Sequence, residues 1–210
     1  MRVIAIDGPA GAGKTTVARA LAARLGLDYL DTGAMYRGVT FAALRRGIDP
    51  DDADPVGDLV QDLDLDVDDT VVRVDGDDAT LEIRGPEVTR AVSSVAANAR
   101  VRAELRRRQV EWATHHGGGV IEGRDIGSVV FPDADLKLYL TATPEVRARR
   151  RHKEVTDLDY DEVAAGIAER DARDRGRETN PLVEAKDAVI IDTTDRDVEE
   201  IVDEILDLLK

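Results

Sequence analysis

The stretch "IDGPAGAGKTT", residues 6–16, decides the fold. It contains the complete pattern G-x-x-x-x-G-K-[ST] between Gly8 and Thr15, whose glycines allow successive backbone N–H groups to turn toward phosphate oxygens. The apolar run 2–7 predicts a buried strand before the loop, and apolar residues at helical spacing predict a helix after it, over about 14–25. A glycine-rich turn between a strand and a helix indicates a binding site for a nucleoside triphosphate.

We predict that this loop binds the phosphates of a nucleoside triphosphate. Lys14 is placed to reach the β- and γ-phosphates, and the hydroxyl of Thr15, or of Thr16 in an alternative register, is placed to bind Mg²⁺. The predicted ATP-binding residues are Gly8, Pro9, Ala10, Gly11, Ala12, Gly13, Lys14, Thr15 and Thr16. The loop alone does not separate kinases from GTPases and ATPases. The sequence has no guanine-reading NKxD motif, and an apolar strand ending in an acidic residue, as in ATPase motors, occurs only late in the chain, in "AVIID" (188–192).

Short apolar runs alternate with helical patterns along the rest of the chain. "GVIEG" (119–123), "LKLYL" (136–140) and "AVIID" predict strands that are buried on both faces. This alternation predicts an α/β fold, a P-loop three-layer sandwich with a central parallel sheet of about five strands. Residues 48–85 differ, because "VVRV" and "ATLEI" flank "DGDD" as in a hairpin. We therefore expect a small inserted antiparallel β subdomain at 48–85 within a single domain of residues 1–210.

Charge and composition exclude several classes of function. The formal net charge is -15, and the chain has no cysteine, which excludes disulfides and thiolate metal sites. Such an acidic protein is a poor general binder of nucleic-acid backbones. Much of the excess lies in 51–80, with twelve Asp and one Arg, a composition also compatible with adaptation to salt. Arginine clusters at 100–108 and 147–151 favour small anionic ligands instead.

No apolar run approaches the ~20 residues of a membrane span, and no signal peptide is evident. We therefore expect a cytoplasmic protein with no membrane partner.

A second group of cations is expected to face the loop, because a phosphoryl acceptor is itself anionic. Arg124 and Asp125 follow the predicted strand 119–123, at the strand end where open α/β sheets bind ligands. "ERDARDRGR" (169–177) places further arginines and Asp174 on one side of a helix, although such charges also occur as ordinary pairs on solvated helices. The same alternative holds for Arg37, in "LDTGAMYR", and for the remaining candidates, Ser93 and Arg102.

These segments together resemble bacterial-type cytidylate kinases, of the nucleoside monophosphate kinase group. The resemblance rests on "IDGPAGAGKTT", "YLDTGAMYRGVT", "EVTRAVSSVAANARVR", "EGRDIGSVVFPDADLKLYLTAT" and "RDARDRGRETNPLVEAKDAVIIDTT", which occur in this order and span about 2–195. "GRDIGSVVFPDADLK" is much more diagnostic than the loop. The segment 48–85 is similar to an enlarged monophosphate-binding domain, and the resemblance implies a short lid within 145–177.

The resemblance implies that the substrates are ATP with Mg²⁺ and CMP or dCMP. It implies that the CMP-binding residues are Thr32, Arg37, Ser93, Arg102, Arg124, Asp125, Arg170, Asp174 and Arg177. Among them Arg37, Arg124 and Arg170 would bind phosphate, and Lys14, Arg124 and Arg170 would serve catalysis. We expect a monomer with no nucleic-acid partner. Another small-molecule P-loop kinase, with shikimate or a different nucleotide as acceptor, and a regulatory ATP-binding module are the competing hypotheses.

Overall fold

The computed structural model describes residues 1–154 and 159–210, which form eight strands and eight α-helices. The strands are β1 (Arg2–Asp7), β2 (Tyr29–Asp31), β3 (Leu65–Val67), β4 (Val72–Val74), β5 (Asp77–Asp78), β6 (Gly118–Gly123), β7 (Leu136–Thr141) and β8 (Val189–Asp192). The helices are α1 (Lys14–Leu25), α2 (Thr32–Arg45), α3 (Ala53–Asp62), α4 (Pro86–Ala97), α5 (Ala99–His116), α6 (Pro144–Glu154), α7 (Tyr160–Gly176) and α8 (Val198–Leu208).

The central sheet has five strands in the order β2-β6-β1-β7-β8. Strand β1 pairs in parallel with β6 on one side and with β7 on the other, and β7 pairs in parallel with β8. Because these neighbouring strands are parallel, they need crossover connections that return the chain to the same end of the sheet, and not tight hairpins. The predicted α/β sandwich with a five-stranded parallel sheet is confirmed.

The chain divides into two compact units, Met1–Asp28 with Gly118–Lys210, and Tyr29–Gly117. The first unit contains β1, β6, β7 and β8 with the helices α1, α6, α7 and α8. Its largest fully buried side chains lie mainly on the strands, as expected for a parallel sheet covered on both faces; they are Ile4, Ile6, Leu21, Ile121, Ile126, Leu138, Leu140, Ile191 and Ile201.

The second unit contains a small antiparallel sheet, β3-β4-β5. The predicted hairpin turn at "DGDD" is confirmed, because Asp75 and Gly76 both have positive φ (54° and 82°), as a two-residue hairpin loop requires. The prediction that "ATLEI" forms a long return strand is wrong. Strand β5 ends at Asp78, whose carboxylate accepts hydrogen bonds from the N–H and hydroxyl of Thr80 and so turns the chain. A 3₁₀ helix, Glu82–Arg84, follows.

Helix α3 was not expected inside the acidic segment 48–85. Its buried residues include Val56, Leu59 and Val60, which recur at helical spacing and face the interior of the unit. The abundant aspartates obscured this short apolar stripe. The stretch "LDLDV" (63–67), in which apolar and acidic residues alternate, contains strand β3.

Exposed ion pairs join the hairpin to the end of α2. Arg45 lies 3.0 Å from Asp75 and 2.8 Å from Asp77, and Arg46 lies 2.7 Å from Asp75. Arg73 lies 3.3 Å from Asp66 within the small sheet. Several of the acidic residues of 51–80 thus have partners within their own unit.

No helix in the described part of the chain is both long and apolar enough to cross a membrane. Of the predicted lid, 145–177, the stretch 155–158 lies outside the described residues.

Gly118 offers a test of the pairing between β1 and β6. Its φ is +124°, and a Cβ there would lie 2.0 Å from the backbone oxygen of Arg2, its neighbour in register. We expect Gly118→Ala to lower the free energy of unfolding by about 2 kcal/mol or more, since both the strained backbone and the displaced strand are costly. The measurement is urea denaturation.

Gly166 is the matched control, because it lies in the interior of α7 and a Cβ added there would meet none of the described residues within 4 Å. Gly166→Ala is expected to raise the free energy of unfolding by about 0.5–1 kcal/mol. An unchanged free energy in Gly118→Ala would contradict the close approach of the two backbones.

Candidate active site

The glycine-rich loop between β1 and α1 is set tightly against its surroundings. Gly8, Gly11 and Gly13 have φ of +148°, +75° and +84°. A Cβ on Gly8 would lie 2.1 Å from the backbone oxygen of Leu140, and one on Gly11 would lie 2.8 Å from that of Arg147. Glycine is therefore required at 8 and 11 both by the backbone conformation and by space.

The N-terminus of α1 is suited to an anion. Its N-cap is Gly13, which has no side chain, and its first turn contains no acidic residue. The first N–H groups of a helix have no partner within the helix, and they carry the positive end of its dipole. A phosphate beside this turn would therefore be stabilised. Thr15 and Thr16 are exposed in the same turn.

Lys14 is buried and lies against the loop. Its Nζ donates a hydrogen bond of 2.9 Å to the Pro9 carbonyl oxygen. Burial, and next the charge of Arg124, lower the pKa of Lys14 to about 7, although Glu122 and Asp7 oppose this shift. The ammonium charge is thus costly at this position until an anion balances it.

Arg124 and Asp174 form the centre of a charged group in the first unit. Arg124 Nε donates to Asp174 at 2.8 Å, and Arg177 lies 3.3 Å from the other oxygen of the same carboxylate. Burial alone would raise the pKa of Asp174, but Arg124, followed by Arg177 and Arg170, lowers it below its usual value. The structure therefore places Arg124 of "EGRDIG" against Asp174 of "ERDARDRGR", with Arg177 beside the same carboxylate.

Asp7 fixes the turn that carries Arg124 and Asp125. Its two carboxylate oxygens accept hydrogen bonds of 2.8 Å from the N–H groups of Ile126 and Gly127, at the start of a π-helical turn. Burial raises the pKa of Asp7 to about 6, despite these two hydrogen bonds. Sequence reasoning did not single out Asp7. The signal was an acidic residue that ends an otherwise apolar strand directly before the loop.

Two further side chains, which the sequence analysis did not assign to the loop, contact its carbonyl groups. Arg147 Nη1 donates to the Ala10 oxygen at 3.1 Å, and the Thr193 hydroxyl donates to the Ala12 oxygen at 3.0 Å. Arg150 donates in turn to the hydroxyl and the carbonyl oxygen of Thr193. The cluster 147–151 was expected to bind small anions, but these two arginines contact protein groups.

The other arginine cluster, 100–108, also has structural partners. Arg107 and Arg108 pair with the buried carboxylate of Glu104, and Arg108 donates to the carbonyl oxygens of Val60 and Leu63 at the end of α3. The hydrogen bond from Arg107, ahead of the contributions of Arg108, lowers the pKa of Glu104 to about 2.

The remaining predicted residues lie in the second unit. Asp31 caps α2 by accepting from the N–H of Ala34, and it accepts a 2.7 Å hydrogen bond from Arg37. Although burial opposes it, the charge of Arg37 holds the pKa of Asp31 below its usual value. Thr32, the first residue of α2, is buried.

Arg102 is also buried in this unit, where it donates to the Ala96 oxygen at 3.0 Å and lies 5.6 Å from the ring centroid of Tyr36. Ser93 is half-buried on α4. Tyr36 and Arg37 are adjacent on α2, so Arg102 contacts the helix that carries Arg37. Each unit therefore contains buried or half-buried arginines, and in each unit at least one of them pairs with an aspartate.

Solved structures with remote sequence similarity share this fold. A protein from Eubacterium ventriosum is 13% identical over 99% of this chain and 98% of its own, with a TM-score of 0.57. A shikimate kinase from Bacteroides thetaiotaomicron is 17% identical over 99% of this chain and 98% of its own, with a TM-score of 0.51.

Sequence comparison gives much closer relatives. A cytidylate kinase of Mycobacterium leprae is 48% identical over 99% of this chain and 95% of its own length. A cytidylate kinase of Ligilactobacillus salivarius is 46% identical over 99% of this chain and 96% of its own length. A bifunctional pantoate ligase/cytidylate kinase of Synechococcus is 49% identical over 99% of this chain, which spans 44% of that longer protein. The sequence model of the family described as cytidylate kinase matches residues 4–210. The chain belongs to the cytidylate kinase family.

Proposed function

We propose that the protein transfers the γ-phosphoryl group of ATP to the phosphate of CMP, forming CDP and ADP, and that it also accepts dCMP. The observation that carries this proposal is the family match over residues 4–210, together with relatives named cytidylate kinase at 46–48% identity over 99% of the chain. The reaction belongs to pyrimidine nucleotide metabolism. We further propose that the protein acts as a monomer in the cytoplasm, where it meets both nucleotides.

The donor triphosphate would bind along the loop Gly8–Gly13 and the first turn of α1. Backbone N–H groups would donate to the β- and γ-phosphate oxygens, and Lys14 would leave the Pro9 carbonyl to reach the same oxygens. The supporting observation is the uncapped, acid-free N-terminus of α1 beside a loop of glycines with positive φ.

The first turn of α1 also fits Mg²⁺. The described residues contain no group of three or more His, Cys, Asp or Glu side chains able to hold a metal by themselves. Thr15 contributes an exposed hydroxyl oxygen, and Mg²⁺ is commonly bound by few protein ligands together with substrate phosphates. Thr15 would thus hold the ion, and the ion would neutralise charge on the β- and γ-phosphates.

The acceptor would bind to the charged groups that the family resemblance assigns to it. We propose that Arg37, Arg124 and Arg170 bind phosphate, and that Lys14, Arg124 and Arg170 stabilise the charge spread over the transferred group. Ser93, Arg102 and Asp174 would lie near the base or sugar, and Thr32, Asp125 and Arg177 would complete the set. Within this single kinase domain, 48–85 would serve as the monophosphate-binding subdomain and 145–177 as the lid.

The reaction needs no general base. The second pKa of a phosphate monoester is about 6, so the attacking oxygen of CMP is already ionised near neutral pH. The difficulty is repulsion between two polyanions, which the lysine and the arginines offset. Buried arginines suit this purpose because the guanidinium group stays protonated and donates in a fixed planar geometry.

A coupled assay over a panel of acceptors tests the activity directly. We expect CMP and dCMP to stimulate ADP formation from ATP strongly, and UMP, AMP and shikimate to do so far less, because a site that donates to or accepts from cytosine rejects analogues with the wrong polar group. Equal ADP formation with and without CMP would contradict the proposal. Faster turnover with shikimate would assign a different acceptor.

Arg124→Ala tests the assignment of the acceptor phosphate. We expect the KM for CMP to rise on the order of 10-fold or more, because hydrogen bonds to charged groups contribute about 1.5–3 kcal/mol, while the KM for ATP stays nearly constant. Arg24→Ala, which removes an exposed arginine paired with Asp203, is the matched control and should change neither constant. An equal loss of ATP affinity in Arg124→Ala would place Arg124 at the donor instead.

The lowered pKa of Lys14 predicts that the protein takes up a proton when ATP binds. Its pKa is about 7 in the free protein because of burial and of Arg124, and the phosphates would return it toward the ordinary value of 10.5. Binding above pH 7 should therefore take up close to one proton, and binding well below pH 7 should take up almost none. Calorimetry at pH 8 in buffers of different ionisation enthalpy measures this uptake. Lys14→Arg keeps the charge but does not titrate in this range, so uptake of the same size in that variant would refute the assignment.

A further inference from the structure

The peptide groups of the loop have carbonyl oxygens that accept from side chains of the protein and N–H groups that we propose face the phosphates. The C=O of one residue and the N–H of the next belong to one planar unit and point in opposite directions. A donor that holds the Ala10 oxygen therefore fixes the direction of the Gly11 N–H, and a donor on the Ala12 oxygen fixes the Gly13 N–H. Arg147 and Thr193 are these donors, at 3.1 and 3.0 Å.

Arg147 connects the loop to two other elements. Its Nε donates to the Ala142 oxygen just after β7 at 3.1 Å, and its Nη1 also lies 2.6 Å from the Asp171 carboxylate on α7. The side chains of Arg147 and Asp171 are only 7% and 4% exposed. Asp171 directly follows Arg170 in sequence, so the same guanidinium group joins the loop to the helix that carries a proposed phosphate ligand.

A buried ion pair of this kind is weak evidence for a stabilising role. Removing two charges from water costs about as much as their attraction returns, and apolar replacements of buried pairs are often neutral or stabilising. The contact with Ala10 gives Arg147 a role that an apolar residue would not fill. The planar guanidinium group is also needed, because a lysine ammonium does not donate in the same fixed directions to three separated acceptors.

We propose that Arg147 is a positioning residue, which orients the Gly11 N–H toward the donor phosphates and holds the loop in register with Arg170 on α7. The proposal rests on the phosphoryl-transfer function proposed above for its kinetic consequence, but not for its effect on the loop. Arg147 acts through the backbone and not on the substrate. Loss of the Arg147 side chain should therefore lower the rate of the chemical step more than it weakens the binding of ATP or CMP.

The decisive variant is Arg147→Met combined with Asp171→Asn. The single change Arg147→Met would leave the Asp171 carboxylate buried without its cation, whereas the double variant removes both charges. We expect kcat to fall on the order of 10–100-fold, because small misplacements of reacting groups cost up to about 10²-fold. The KM values for ATP and CMP should stay within about 3-fold of the original. The melting temperature establishes that the variant is folded.

Two further variants show whether a fall in kcat comes from the loss of the Arg147 guanidinium group. Arg24→Met removes an exposed arginine that lies outside the proposed site and pairs with Asp203, and it should leave kcat unchanged. Arg147→Lys keeps a cation beside Asp171, so it protects the test against misfolding of the double variant, and it should still lose rate. A wild-type rate in Arg147→Lys would mean that charge pairing alone matters, which would overturn the proposal.

A readout independent of the acceptor is the ¹⁵N relaxation of the Gly11 amide in the nucleotide-free protein. Its order parameter should fall in the double variant and remain unchanged in Arg24→Met. This result would support the positioning role even if CMP proved not to be the acceptor. An unchanged order parameter with kcat within 2-fold of wild type would overturn it. A raised KM for ATP with unchanged kcat would also overturn it, by making Arg147 a direct ligand of the nucleotide.

Discussion

The geometry of the loop depends on how its peptide groups are divided between two environments. On one side, N–H groups without side-chain competitors are available to an anion at the start of α1. On the other side, the oxygens of Pro9, Ala10 and Ala12 accept from Lys14, Arg147 and Thr193. Because buried backbone groups must be paired, satisfying the oxygens from outside keeps the N–H groups for the ligand. The glycines make this arrangement sterically accessible, and the donors around them select it.

Among the described residues, three buried or half-buried aspartates are each paired with one or two arginines. Asp174 is shared by Arg124 and Arg177, Asp171 is paired with Arg147, and Asp31 is paired with Arg37. Each aspartate offsets the cost of burying its arginine before any substrate is present. Lys14 differs, because its hydrogen bond goes to a neutral carbonyl oxygen. Burial, followed by the charge of Arg124, lowers its pKa. Binding of an anion at the loop would therefore favour the charged form of Lys14.

The sequence was sufficient for the sheet, the loop and most helices because each depends on local patterns. The motif from Gly8 to Thr15 fixes a strand, a turn and a helix in succession, and the apolar runs identify the other buried strands. The segment 48–85 was predicted less well. Its hairpin turn is encoded by Asp75 and Gly76, whereas α3 has only a short apolar stripe among many aspartates.

The residues that support the site were harder to find than those that would contact substrates. Asp7 lies 119 positions before the amide that it binds at Ile126, and Arg147 lies 137 positions after Ala10. Such contacts depend on the neighbours that β1 acquires in the sheet, not on any local pattern. Thr193 follows an ordinary strand and has no sequence feature that connects it to the loop. Only the folded backbone reveals these partners.

The negative charge around the hairpin at Asp75 and Gly76 makes this part of the protein sensitive to the salt concentration of the medium. Arg45, Arg46 and Arg73 neutralise only part of the local negative charge of 51–80, and these pairs are largely solvent-exposed. The remaining carboxylates repel one another, and dissolved salt screens exposed charges with a Debye length of about 10 Å at 0.1 M ionic strength. Dissolved counterions screen that repulsion while leaving the buried pairs almost untouched. Ionic strength therefore acts selectively on the small sheet and spares the loop.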